Sequence, residues 1–260
     1  MALLTLNRVT RRFISRGRIV EAIGDFSLEV AEHSFVTIVG PSGCGKSTLL
    51  NMMVGLLEPT SGQVLFRGVP VNAPVRQIGY ITQRDTLLPW RTLQRNVEFA
   101  LEVQGMDRAP RAARARELIR EVGLAGFEDH YPHELSGGMR QRAMIIRSLA
   151  YDPEVLLLDE PFGALDAQTR GQLQNQLMVL QASTRKTIVF ITHDLIEAVA
   201  LADEVVVISR QPGTIRARHA VPMPRPRNVF DIHNEPVFIE IYGAVKDQLL
   251  REMTPTGAPG

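Results

Sequence analysis

The sequence is poor in cysteine, tryptophan and lysine, carries no excess of either charge and holds no long apolar run. Each shortage excludes something. A single cysteine, Cys44, rules out an intrachain disulfide and a Cys-rich zinc site, and is compatible with a reducing compartment. Against 29 basic residues stand 28 acidic ones, a net charge of +1, so no imbalance points to nucleic acid or anionic lipid as a partner. No window offers the roughly 18 to 20 consecutive apolar residues of a membrane helix. The start, Met1-Ala-Leu-Leu-Thr-Leu-Asn-Arg, lacks the basic and apolar regions of a signal peptide. The chain is therefore expected neither to be secreted nor to span a membrane.

What is present suits a globular protein. The 260 residues allow one large domain or two small ones, and 45% hydrophobic with 22% charged residues excludes a disordered or fibrous chain. Short apolar runs alternate with stretches of helical period, the pattern of a mainly parallel sheet covered by helices. Strands are predicted at Leu3–Val9, Phe26–Val30, Phe35–Val39, Gln63–Phe66, Ile78–Ile81, Val155–Leu158, Thr187–Thr192 and Glu204–Ser209. The early ones lie close together and suggest an antiparallel edge. Residues 92–150 hold little strand signal and read as a helical insertion, with Leu93, Val97 and Leu101, then Ala115, Leu118, Ile119 and Val122, each on one helix face. Leu173, Leu177 and Leu180 mark a further helix. Past Ser209 the segment with Pro222, Pro224 and Pro226 reads as an extended surface strap. A last helix carries Phe238, Ile241, Tyr242, Val245 and Leu249 on one face, and the tail after Met253 is expected to fray.

Gly40-Pro41-Ser42-Gly43-Cys44-Gly45-Lys46-Ser47 fits GxxxxGK[ST] and lies after the strand Phe35–Val39 and before the apolar helix Thr48–Val54. Glycines let successive N–H groups face one point, and the following helix adds its positive end, so a phosphate fits there. Lys46 would reach the β- and γ-phosphates, and the Ser47 hydroxyl would ligate Mg²⁺, which prefers hard oxygen ligands. Cys44 reads as a small loop residue, since nothing in the sequence supplies the base a nucleophilic thiol needs. The strand Val155–Leu158 runs into Asp159-Glu160, and open α/β sheets bind ligands at the carboxyl ends of strands. Alternation along the strand separates the two acids: Asp159 is placed for Mg²⁺ and Glu160 for the attacking water. His193, after another apolar strand, can donate to a γ-phosphate or hold the water.

Leu135-Ser136-Gly137-Gly138-Met139-Arg140-Gln141-Arg142 resembles the signature motif of ABC transporter ATPase subunits. The other motifs stand in that family's order: Phe13 at the adenine-stacking position, the phosphate loop Gly40 to Thr48, Gln83, the signature, Asp159-Glu160, Ala164-Leu165-Asp166 and His193. The resemblance covers about residues 1–210. It implies a P-loop NTPase (RecA-like) α/β core with an antiparallel β edge and a helical signature lobe at about 84–150. The ATPase domain would span 1–232, and 233–260 would be a C-terminal helix and tail. It further implies ATP and Mg²⁺ as cofactors, with Gln83 joining Ser47 and Asp159 around the metal. Two copies would pack head to tail, Ser136, Gly137 and Gly138 of one closing on the ATP of the other. The expected partners are an integral membrane permease and, through it, a periplasmic or extracellular solute-binding protein, with no nucleic acid. The chain would sit on the cytoplasmic face of the inner membrane.

Leu87-Leu-Pro-Trp90-Arg91, Pro161-Phe-Gly-Ala-Leu-Asp166-Ala-Gln-Thr-Arg170 and Pro224-Arg-Pro-Arg227 look like the ATPases of nitrate, sulfonate and taurine importers. An export or lipid-handling ABC subunit shares the same chemistry. A non-transport ABC ATPase would bring paired cassettes or a long coiled coil, and neither is visible. Three departures from the family stand out: His33-Ser34 replaces the common Gly-Glu before Phe35, Phe13 replaces Tyr, and Met139 replaces Gln. Trp90, beside Arg84, Arg91 and Arg95, is either an exposed anchor for a membrane-subunit helix or packed inside the helical lobe.

Overall fold

The computed structural model describes residues 2–15, 17–163, 165–225 and 227–253. In chain order it runs β1 (Ala2–Ser15), β2 (Arg18–Ala31), β3 (Phe35–Val39), α1 (Lys46–Met53), β4 (Ser61–Phe66), β5 (Val69–Pro70), β6 (Ile78–Ile81), α2 (Leu93–Val103) and α3 (Arg108–Glu121). There follow α4 (Gly137–Leu149), β7 (Val155–Asp159), α5 (Ala167–Thr184), β8 (Thr187–Ile191), α6 (Leu195–Leu201), β9 (Glu204–Ile208), β10 (Ile215–Ala220) and α7 (Pro236–Met253). These divide into two compact units, residues 1–75 with 174–260 and residues 76–173, the division falling within α5. Ala164, Pro226 and the tail expected to fray after Met253 lie outside the described residues.

In the first unit β10, β9, β3 and β8 lie side by side, β3 parallel to both β8 and β9 and β10 antiparallel to β9. Every residue of β3 and β8 is buried, which is why both read as unbroken apolar runs rather than alternating ones. Beside them stands the expected antiparallel sheet, in the order β2-β1-β4-β5. Here Phe26, Leu28 and Val30 are buried and the residues between them exposed, the period of a strand covered on one face. In the second unit β6 and β7 pair in parallel, Ile81 opposite Leu158, and α2 packs on α3 and α4.

Three expectations need correction. The hairpin is longer than predicted: β1 runs on to Ser15 and β2 starts at Arg18, because the polar stretch between is held by ladder pairs such as Arg12 with Glu21, whose side chains also bond at 2.9 Å. The strand β10 was not foreseen, since only one half-buried face of Ile215–Ala220 is apolar. The Pro-rich strap is not simply a surface segment: Pro222 and Pro224 are exposed, yet Val221 and Met223, which alternate with them, are buried. Two arginines pin it. The Arg225 guanidinium donates to Asp203 Oδ1 (3.0 and 2.9 Å) and to the Leu201 carbonyl (2.7 Å), while Arg227 donates to the carbonyls of Ala202 (2.6 Å) and Met223 (2.8 Å). Burial, with Arg225 close by, pulls Arg227 down to about 10. His33 has a left-handed backbone, φ 64, and is held there by its N–H on Thr187 Oγ1 (2.8 Å) and by the Gln181 side-chain amide, which donates to its carbonyl (2.9 Å).

Candidate functional site

The phosphate loop of the first unit connects β3 to α1. Gly45 precedes the helix at φ 98, and a Cβ there would lie 2.8 Å from the Ala22 carbonyl oxygen and 2.6 Å from Ile23 Cδ1. Both the dihedral and the space demand glycine. A Cβ at Gly40 would meet Ile208 Cγ1 at 2.5 Å, so β9 presses the loop from the other side. Gly213, which exchanges backbone bonds with Ala22 (2.9 Å) and Gly24 (3.2 Å), completes this brace. No side chain caps α1 and no acid lies in its first turn, so its leading N–H groups and positive end are left for an anion. Lys46 Nζ donates to the carbonyls of Gly40 (2.8 Å) and Pro41 (2.9 Å), which holds the ammonium over the loop. Ser47 is exposed and Thr48 half-buried. Cys44 is buried; desolvation raises its thiol above the ordinary range despite the nearby Lys46, as suits a packing residue rather than a nucleophile.

His193 is exposed beyond the end of β8. Because Ile38 pairs with Ile191 in parallel register, this end lies on the same sheet edge as the phosphate loop. Phe13, half-buried on β1, pairs with Val20 across the hairpin, and the Arg11 guanidinium covers one ring face at 4.7 Å.

In the second unit the parallel register of β6 and β7 brings Gln83 and the two acids to one strand end. Gln83 Nε2 donates to Glu160 Oε2 at 3.2 Å. Asp159 is buried as the last residue of β7, and its charge adds to burial in pushing the Tyr80 phenol up to about 12. Glu160 has φ 46, a left-handed conformation that sequence reasoning gave no sign of. Ser136 caps α4, its Oγ accepting from the Met139 N–H at 3.3 Å, and a Cβ on Gly138 would lie 2.8 Å from Thr169 Cγ2. Asp166 accepts from the Thr169 N–H at 2.9 Å at the start of α5, and this bonding holds its carboxyl below the usual range.

Trp90 is 70% exposed, so it is not packed inside the lobe. Two of the neighbouring arginines are engaged: Arg91 lies over Phe99 (4.9 Å) and binds Glu102 (2.8 Å), and Arg95 binds the buried Glu98 (2.9 Å). Also missed from sequence was a clasp on the segment after Gln83. Arg140 pairs with Asp85 (3.0 Å) and Arg147 donates to the Thr86 carbonyl and hydroxyl (2.6 Å each), tying that segment to α4.

Among the described residues no helix is long and apolar enough to cross a membrane. The ABC transporter family model matches residues 23–163. An uncharacterized ABC transporter ATP-binding protein of Methanocaldococcus jannaschii is 45% identical over 250 residues, 96% of this chain and 94% of the relative. A taurine import ATP-binding protein of Burkholderia pseudomallei is 45% identical over 256 residues, 97% and 98% of the two chains. Among solved structures, a dimeric ATP-binding cassette in a post-hydrolysis state with ADP and Pi is 32% identical with a TM-score of 0.77, covering 85% of this chain and all of the other.

Proposed function

The chain belongs to the ATP-binding subunits of ABC transporters and is an ATPase, and from that premise we propose that it drives an importer for nitrate, sulfonate, taurine or a related small solute. Taurine import named for a relative 45% identical along nearly its whole length is the observation that carries this reading. Residues 1–232 act as the ATPase domain, with the lobe at about 84–150 facing the membrane subunit, and 233–260 form the C-terminal helix and tail. Two copies work head to tail. The membrane partner is an integral permease, which holds the chain on the cytoplasmic face of the inner membrane and links it to a periplasmic or extracellular solute-binding protein.

In this mechanism the N–H groups of Gly43 to Thr48 and the Lys46 ammonium bind the β- and γ-phosphates, since unsatisfied donors at a helix start favour anions. Phe13 stacks on the adenine. The donor set suits Mg²⁺: Ser47 offers a hydroxyl and Asp159 a carboxylate. Gln83, with its amide nitrogen turned to Glu160, keeps its carbonyl oxygen for a ligand. When bound, the ion would neutralise charge developing on the phosphates. Glu160 accepts the proton of the attacking water, Gln83 and His193 orient that water and the γ-phosphate, and Ser136, Gly137 and Gly138 of the second copy supply further N–H donors. Asp166 stands beside the opposing site. Closing on ATP and opening after hydrolysis then moves the lobe.

Pull-down of the tagged chain from detergent-solubilised native membranes, with Mg²⁺-dependent ATPase measured on the complex, tests the reading. Recovery of a permease with a solute receptor is expected. Recovery of an export or lipid-handling membrane subunit would replace the importer with the rival transporter, and recovery of ribosomal or DNA-bound proteins would contradict transport altogether. Trp90 fluorescence should change when the permease is added, because this side chain is free to be covered.

A further inference from the structure

Glu197 is a carboxylate buried where the proposed chemistry has no direct use for it. It lies in the first turn of α6 and is 4% exposed, although a buried acid is costly unless its oxygens are bonded. Both are. Oε2 accepts the Thr192 hydroxyl, and Oε1 accepts Gln174 Nε2 at 2.8 Å. The same Thr192 oxygen accepts the Asp194 N–H at 3.0 Å, so the residues immediately before and after His193 are tied to one buried hydroxyl. Asp194 Oδ1 closes the turn by accepting from the N–H groups of Ile196 (2.9 Å) and Glu197 (3.2 Å). On the other side the Thr192 N–H reaches the Ile38 carbonyl, one residue before the end of β3, at 3.4 Å. Thr192 and Glu197 are thus buried and fixed while the imidazole between them is exposed.

An apolar side chain at 197 would fill the same space without the desolvation penalty, so a carboxylate bonded at both oxygens is better accounted for by what it aims. We propose that Glu197, through Thr192 and with Gln174 bracing it, is the positioning residue for His193, holding peptide 192–194 so that the imidazole stays at the sheet edge shared with the phosphate loop. This rests on the assignment of His193 to γ-phosphate chemistry.

The test compares the full chain with Glu197→Gln, Thr192→Val, Thr192→Ser, His193→Ala and the double variant His193→Ala/Glu197→Gln. Turnover, nucleotide Kd and Tm are measured on each, together with the NMR resonance of the His193 ring, identified by its loss in His193→Ala. Glu197→Gln and Thr192→Val should lower kcat by about tenfold, the low end of what partners behind a functional group contribute, with Kd changed less than about twofold. Thr192→Ser should restore turnover, and the double variant should be no slower than His193→Ala alone. The ring resonance should shift in Glu197→Gln. Wild-type kcat in Glu197→Gln and Thr192→Val beside a slow His193→Ala would overturn the inference alone, as would a loss that only tracks Tm and adds to that of His193→Ala. Full turnover in His193→Ala would remove the histidine's own role. In that case an unmoved ring resonance in Glu197→Gln also rejects the positioning, and a shifted one retains it.

Discussion

Two helix starts in this chain offer backbone donors, and they are built differently. At α1 the preceding residue is Gly45, left-handed and without a capping side chain, and Lys46 lies over the loop. At α4 the preceding residue is Ser136, whose hydroxyl already takes one of the free N–H groups, and the cation of its first turn, Arg140, is bound to Asp85 and the Leu135 carbonyl. Neither first turn contains an acid. On the proposed reading the first start is a phosphate cradle with its own charge. The second would be a partial one, adding donors to a phosphate held elsewhere, and that asymmetry is what the proposed head-to-tail dimer requires.

The largest effect should come from the cation that distinguishes the first start. Lys46→Ala should lower kcat/KM by about 100- to 1,000-fold, the range found when one donor to developing charge is removed, in a steady-state ATPase assay, while Arg140→Ala should cost far less. Gly45→Ala comes next. With φ 98 and a backbone oxygen 2.8 Å from the new Cβ, it should destabilise by about 2 kcal/mol or more in chemical denaturation, and no single side-chain trim nearby should rescue it. Gly138→Ala sharpens the contrast: the obstacle there is Thr169 Cγ2 alone, so Thr169→Ser should recover most of the loss. Ser136→Ala removes a cap and should cost about 1 kcal/mol of stability, with a loss of turnover appearing only where two copies associate.

The smallest effect concerns Cys44. Its thiol is raised by burial, so the thiolate fraction at pH 8 falls below that of an ordinary cysteine. Alkylation should be slow there and still accelerating above pH 9; a rate profile that levels off below pH 8.5 would contradict the assigned direction.

The parts legible in the sequence are those where burial is two-sided. Phe35–Val39 matches β3 at both ends, and the expected Val155–Leu158 and Thr187–Thr192 differ from β7 and β8 by one residue, because a short continuous apolar run bounded by polar residues fits a strand covered on both faces. The hairpin Thr10–Glu21 was invisible for the opposite reason: Ile14 and Ile19 pair across it while both stay exposed, so no burial pattern marks it. At the site, the phosphate loop and the Asp159-Glu160 strand end were readable because their spacing is set by local backbone geometry. Glu197, Arg147 and Arg227 were not. A charged residue looks solvated in a sequence, and only the fold shows what it is bonded to: Thr192 and Gln174 for Glu197, Thr86 for Arg147 and the Ala202 carbonyl for Arg227.

The head-to-tail claim is tested most directly by sedimentation velocity on Glu160→Gln with and without ATP and Mg²⁺. This substitution keeps the shape of the side chain and removes the base, so ATP should bind and remain. The account predicts a monomer without nucleotide and a stable dimer with it, abolished by adding Ser136→Arg. A chain that binds ATP in this variant yet stays monomeric, or a dimer indifferent to the change at Ser136, would contradict it.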